Sequence, residues 1–177
     1  MSSKAKKLLI VDGYNVLRSG SRYKTITDPD YTDDAFNAAR EALINDVVSF
    51  AGREWNAVIV FDATNNEHSA GETEIIGGVR ILFSPYQQSA DKVIEELAHD
   101  ARRRQVETLV VTSDASIQDA VFGGGIDRMS ANDFSWEINT LGEERRRESE
   151  ISVAQKNTLA ARLSPEMRKK LEELRDQ

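Results

Sequence analysis

The chain has 177 residues, 40% of them apolar and 30% charged, with a formal net charge of −7 and no cysteine. That size and balance suit one globular domain with a proper core, and the missing cysteines exclude disulfides, zinc–thiolate sites and thiol nucleophiles. The acid excess argues against a protein that coats nucleic acid through bulk charge, without excluding one that meets it through a local basic patch.

Lys4, Lys6 and Lys7 precede an apolar run, Leu8 to Val11, that is too short for a signal-peptide core. No later run approaches the roughly 20 apolar residues of a membrane span, so a cytoplasmic chain without membrane association is expected. Lys7 to Asp12 (KLLIVD) predicts the first strand, Ala57 to Asp62 (AVIVFD) the second, Val79 to Ser84 (VRILFS) the third and Thr108 to Asp114 (TLVVTSD) the fourth. Their near-continuous Leu/Ile/Val content fits strands buried on both faces. A short fifth strand is expected near Asp127 to Ser130.

Helical patterns lie between them. Phe36, Ala39, Leu43, Val47 and Phe50 recur at helical spacing over about Asp33 to Ala51. Ser89 is placed to cap a helix running to about Arg104, with Val93, Ile94, Leu97 and Ala101 inward. Gly123, Gly124 and Gly125 end another short helix, and Asn65 to Gly78 reads as a loop or small hairpin. From Glu143 to Glu150 seven of eight residues are charged. Residues 1–142 are therefore expected to form the domain, and 143–177 a charged helical extension with a narrow stripe of Leu163, Met167, Leu171 and Leu174. Alternation of strand and helix predicts an α/β fold with a mostly parallel sheet.

The acidic residues fall at telling places. Asp12 ends strand one, Asp62 strand two and Asp114 strand four, while Asp91 opens the helix after strand three. In an open parallel sheet the C-terminal strand ends share one edge, where ligands bind. Glu95 follows Asp91 by one helical turn. Carboxylates so gathered need protons, cationic side chains or hard divalent cations to neutralise them. Mg²⁺ takes oxygen ligands and suits phosphodiester hydrolysis. The plainer alternative is that each aspartate caps a helix or turn. A dinucleotide site finds no support, since DGYN replaces G-x-G-x-x-G and no Walker sequence occurs. With His68 and His99 as the only histidines and no G-x-S-x-G, serine hydrolase chemistry finds none either.

The run Leu9-Ile10-Val11-Asp12-Gly13-Tyr14-Asn15 resembles the opening motif of NYN domains, which are PIN-like nucleases. Val60-Phe61-Asp62-Ala63, Ser89-Ala90-Asp91 with Ile94-Glu95, Thr112-Ser113-Asp114, and Gly125 through Arg128 to Ser130-Ala131 follow in order. Together they resemble the YacP-type branch, known for ribosome-associated endoribonucleases that cut mRNA in the ribosomal A site. The resemblance covers about residues 7 to 140. It implies a PIN-like, Rossmann-like three-layer fold and a metal-dependent endoribonuclease using Mg²⁺ or Mn²⁺. It also implies that Asp12, Asp91 and Asp114 form the acidic metal site, with Asp62 beside it and Glu95 a further candidate. Asn15 would orient a water or the phosphate, and Ser113 would support the site by hydrogen bonding. Gly13 has a physical reason of its own, since a residue without Cβ permits close approach at the strand end.

Arg18, Arg22 and Lys24 are expected in a loop after the first motif, projecting from the acidic rim toward RNA, with Tyr14 or Tyr23 placed to stack a base. Arg128 falls in a matched block and either contacts RNA or pairs with a site carboxylate. The triplets Arg102-Arg103-Arg104 and Arg145-Arg146-Arg147 read as solvated helix faces. Trp55 and Trp136 read as core or rim packing and not as stacking platforms. Two other functions stay open: an RNA- or ribosome-binding module that does not cut, and a small-nucleotide phosphohydrolase on the same scaffold.

Overall fold

The computed structural model describes residues 6–28, 32–63, 66–162 and 164–175. In chain order the elements are β1 (Lys7–Asp12), α1 (Gly13–Ser19), α2 (Ser21–Thr27), α3 (Asp33–Ala51), β2 (Trp55–Phe61), β3 (Thr73–Ile76) and β4 (Val79–Phe83). Then follow α4 (Ala90–Arg103), β5 (Thr108–Val111), α5 (Ala115–Val121), β6 (Ile126–Met129), α6 (Ala131–Arg162) and α7 (Pro165–Arg175).

The sheet order is β3-β4-β2-β1-β5-β6, and every pairing is parallel except that of β3 with β4. β1 is central. The chain leaves it toward β2 and β4 on one side, then crosses to β5 and β6 on the other. The strand order therefore reverses between β1 and β5, and a crevice opens beyond their C-terminal ends.

Apolar residues alternate between two layers. Leu9 and Val11 of β1 face α1, α2, α3 and the start of α6, with Leu43, Val47, Tyr23 and Phe134 fully buried there. Ile10 faces the opposite way, with Val58, Val60, Ile94 and Ile117 against α4 and α5. This is the three-layer α/β arrangement, with helices on both faces.

Several expected boundaries moved. The segment 65–78 contains β3, joined to β4 by Gly77 and Gly78 at φ +57° and +84°, the conformation a two-residue hairpin turn requires; residues 64 and 65 lie outside the described set. The fourth predicted strand stops at Val111, because Thr112, Ser113 and Asp114 turn into α5. The loop expected after the first motif is instead two helices, α1 and α2, separated by Gly20. A Cβ on Gly20 would sit 2.7 Å from the Val16 carbonyl oxygen. Helix α6 begins at Ala131, well before the charged run. Ser130 caps it by accepting from the Asp133 N–H at 3.0 Å and donating to the Asp133 carboxylate at 2.7 Å.

The chain divides into two compact units, residues 1–138 and 139–177. In the first, Ile138 is the last buried residue. In the second, every residue from 142 to 158 is exposed. Met167 of the expected apolar stripe is 56% exposed. Leu163 and the side chains of Leu171 and Leu174 lie outside the described set.

Asp46 on α3 is the polar anchor of the first layer. Its carboxylate accepts from the Tyr23 hydroxyl at 2.9 Å and from Arg22 Nε at 2.7 Å and Nη2 at 3.1 Å. Tyr23 is wholly buried, so removing its acceptor strands a hydroxyl away from water. Asp46→Ala is expected to destabilise the protein by about 1–3 kcal/mol, measured as a lower urea midpoint with unchanged slope.

Candidate active site

Beyond β1 and β5 lies a cleft of about 450 Å³ lined by Asp12, Asp62, Asp91, Asp114, Tyr14, Asn15 and Arg18. Four aspartates from separate segments share it, with Arg18 the single cationic side chain among those lining residues. Their burial differs, and so does their chemistry.

Asp12 is only 6% exposed. Its Oδ2 accepts from the Thr112 hydroxyl at 2.9 Å, and Thr112 Oγ1 in turn accepts from the Asp114 N–H at 3.1 Å. Burial pushes the Asp12 carboxyl up to about 6, and the charges of Asp91 and Asp114 add to the rise. The Thr112 hydroxyl and the Asn15 backbone N–H offset part of it. Asp91, in the first turn of α4, is also raised, first by desolvation and then by Asp114, Asp62 and Glu95. Asp114 is lowered instead, held by the Ser116 hydroxyl at 2.6 Å and the Ser116 N–H at 2.8 Å.

The plainer capping role is therefore present as well. Asp114 caps α5, and Asp62 accepts from the Ala90 N–H at 3.1 Å where α4 begins. Ser89 caps α4 by accepting from Lys92 N–H at 3.2 Å. These bonds fix where the carboxylates point.

Asn15 and Ser113 bind the two sides of the crevice together. Asn15 Oδ1 accepts from the Ser113 N–H at 2.7 Å, and Ser113 Oγ accepts from the Ala131 N–H at 2.9 Å at the head of α6. Gly13 admits no side chain, since a Cβ there would lie 2.5 Å from the Phe61 ring. Tyr14 packs its ring 5.0 Å from Phe61 and 5.6 Å from Phe36, with the Arg18 guanidinium 5.9 Å over it. Thr112 is the site residue the sequence did not single out; the signal was its place between a strand end and a capping aspartate.

Three expectations are corrected. Glu95 lies outside the cleft, in the adjoining groove with Lys92, His99 and Arg102, although its charge reaches Asp91. Arg22 pairs with Asp46 instead of projecting free from the rim, and Tyr23 is buried and donates to the same carboxylate, so its ring is closed to a stacking base. Arg128 sits mid-strand opposite Val110, pairing with Asp119 at 3.6 Å and stacking on Phe122, away from the site carboxylates. Of the two tryptophans expected in core or rim packing, Trp55 packs beside Phe50 and Trp136 is 65% exposed. Of the basic triplet at the end of α4, Arg102 donates to the Val121 and Phe122 carbonyls, while Arg103 and Arg104 are exposed and pair with Asp100.

Among the described residues, no group of three or more Asp, Glu or His side chains gathers closely enough to cage an ion alone. The donors are hard oxygens, spread around an open cleft. They fit a hydrated Mg²⁺ or Mn²⁺ held by one or two carboxylates and completed by water and a phosphate, not an all-protein cage.

A parallel three-layer α/β protein with aspartates converging at the strand switch is the architecture of a PIN-like nuclease domain. The chain belongs to the YacP-like NYN domain family, a nuclease-type family, which it matches over residues 9–176. It is similar to YacP of Bacillus subtilis, with 28% identity over 168 residues covering 95% of this chain and 96% of that one. The crystal structure of Rae1 (YacP) from Bacillus subtilis superposes with a TM-score of 0.65 at 27% identity, covering 96% and 94% of the two chains. That of a point mutant of the same protein gives 0.63 at 28% identity, covering 82% of each.

The raised Asp12 carboxyl sets a sign for stability against pH. Folded Asp12 keeps its proton up to about 6, whereas an unfolded aspartate releases it near 3.8. The folded state thus binds more protons in that window, so this group's contribution falls as pH rises through it and stays low above. Asp12→Asn removes the penalty. In chelator it is expected to gain up to about 3 kcal/mol above pH ~6, and to lose the decline between about pH 4 and 6, in urea denaturation.

Proposed function

We propose that this protein is a metal-dependent endoribonuclease, and that its substrate is messenger RNA engaged on a ribosome and cut in the A site. The observation that carries the nuclease reading is the convergence of Asp12, Asp62, Asp91 and Asp114 on one cleft with a single lining cation. The ribosomal part rests on the family resemblance of the ordered sequence blocks. No helix among the described residues is long and apolar enough to cross a membrane.

One or two of Asp12, Asp91 and Asp114 would hold Mg²⁺ or Mn²⁺ directly and the rest through its waters, with Asp62 beside them. When bound, such an ion lowers the pKa of a coordinated water and stabilises charge on the transferring phosphate. The protein's own contribution is positional. Thr112 holds Asp12 by a hydrogen bond to one oxygen, so the carboxylate keeps one orientation. Asn15 ties the β1 end to the turn carrying Asp114 through the Ser113 N–H, so the two acidic walls keep their spacing. Arg18 offers a guanidinium to an RNA phosphate entering the cleft, countering repulsion from the aspartates. Burial of Asp12 makes its ionisation the step that readies the site, so metal affinity should strengthen as pH rises through about 6.

Incubating the protein with labelled RNA, with and without Mg²⁺ or Mn²⁺, tests the reading. Cleavage is expected only with metal, and products should carry 5′-phosphate and 3′-hydroxyl ends, because attack by water leaves the 2′-hydroxyl no chemical part. Asp91→Asn, which alters an exposed carboxylate, should lower cleavage at least 100-fold while leaving the fold intact (~100-fold is the lower range for such groups). Cyclic 2′,3′-phosphate ends, or full activity in Asp91→Asn, would refute it.

A further inference from the structure

A second cavity adjoins the acidic cleft. It measures about 470 Å³, within the ~300–1,000 Å³ range of ligand pockets. Leu17 and Phe36 give it an apolar wall, and Arg18, Lys24, Asp28 and Asp33 form its polar rim. Arg18 lines both cavities. The wall is also continuous, because Tyr14 of the cleft lies ring to ring with Phe36 of the pocket, 5.6 Å apart.

We propose that this pocket receives one unstacked base of a single RNA strand, the neighbour of the nucleotide whose phosphate enters the acidic cleft. The proposal rests on the nuclease reading and deepens it by assigning where the strand goes. An apolar aromatic wall with a cationic rim is the pattern by which proteins hold single strands, the ring face taking the base and the cation the backbone. Arg18 and Lys24 have no ion-pair partner among the described residues, so their charge is available to phosphate. Arg22, four residues from Arg18, is by contrast tied to Asp46. A polyanion beside four aspartates needs cations at a defined place, and Arg18 stands between the two cavities. A base within a duplex cannot enter without leaving its stack, so the pocket selects unpaired RNA.

The test uses the full chain carrying Asp12→Asn, in chelator, with short oligoribonucleotides containing 2-aminopurine as the probe. Single strands should bind with a fluorescence change, and the matching duplex should bind at least about tenfold more weakly. Phe36→Leu, which keeps apolar volume but removes the ring, and Lys24→Ala, which is on the surface, should each weaken single-strand binding about tenfold and reduce the fluorescence change. Equal affinity in both variants, equal affinity for duplex, or no single-strand binding would overturn the proposal. Pocket-dependent binding by a wild-type protein that cuts no RNA would leave this proposal standing and defeat the nuclease reading instead.

Discussion

The structure turns on a carboxylate placed where water is scarce. Asp12 ends the central strand at the point where strand order reverses, and it lines the cleft there while only 6% exposed. Burial alone disfavours its charge, and Asp91 and Asp114 disfavour it further. Structural proteins avoid such an arrangement, because each buried like charge costs stability unless something neutralises it. Here the Thr112 hydroxyl and the Asn15 backbone N–H are the protein's own relief. Both leave room for a divalent cation and a phosphate.

The same bonds that finish helices build the site. Asp114 caps α5, Asp62 receives an N–H at the head of α4, and Ser113 receives one at the head of α6. A cap normally serves only local stability, worth about 1 kcal/mol. Set at the C-terminal rim of a parallel sheet, Asp62 and Asp114 are held by these bonds while lining one crevice. Structural roles and the proposed chemical ones coincide in these side chains. Asp91 gains besides from the N-terminus of α4, where the helix dipole favours negative charge.

Much of this was legible in the sequence because it is written in local pattern. Runs such as LLIV and AVIVF are short and rich in β-branched residues, as strands buried on both faces are, and an aspartate after each run lands on the same rim. The 3.6-residue spacing of α3 and the Ser89 cap of α4 were equally explicit. What was not legible depends on partners far along the chain. Helices α1 and α2 are short and owe their stability to Val16, Leu17 and Tyr23 packing against α3, so no local periodicity announces them. Arg18 and Arg22 look alike in sequence; Asp46, 24 residues beyond Arg22, takes one and leaves the other. Arg128 matched a family block, yet its mid-strand register turns it toward Asp119 and Phe122. Glu95 shares a helix with Asp91 but faces the neighbouring groove, a matter of helix rotation that spacing alone does not fix.

The central claim is that the charge on Asp12 is completed by a divalent cation. Carbon-13 NMR titration of the Asp12 carboxyl, in the intact protein with and without millimolar Mg²⁺, measures it directly. Without metal the carboxyl should titrate near 6. With Mg²⁺ its midpoint should move clearly downward, because the ion competes with the proton for the same oxygens. A midpoint that stays unchanged on addition of Mg²⁺ and of Mn²⁺ would contradict the claim.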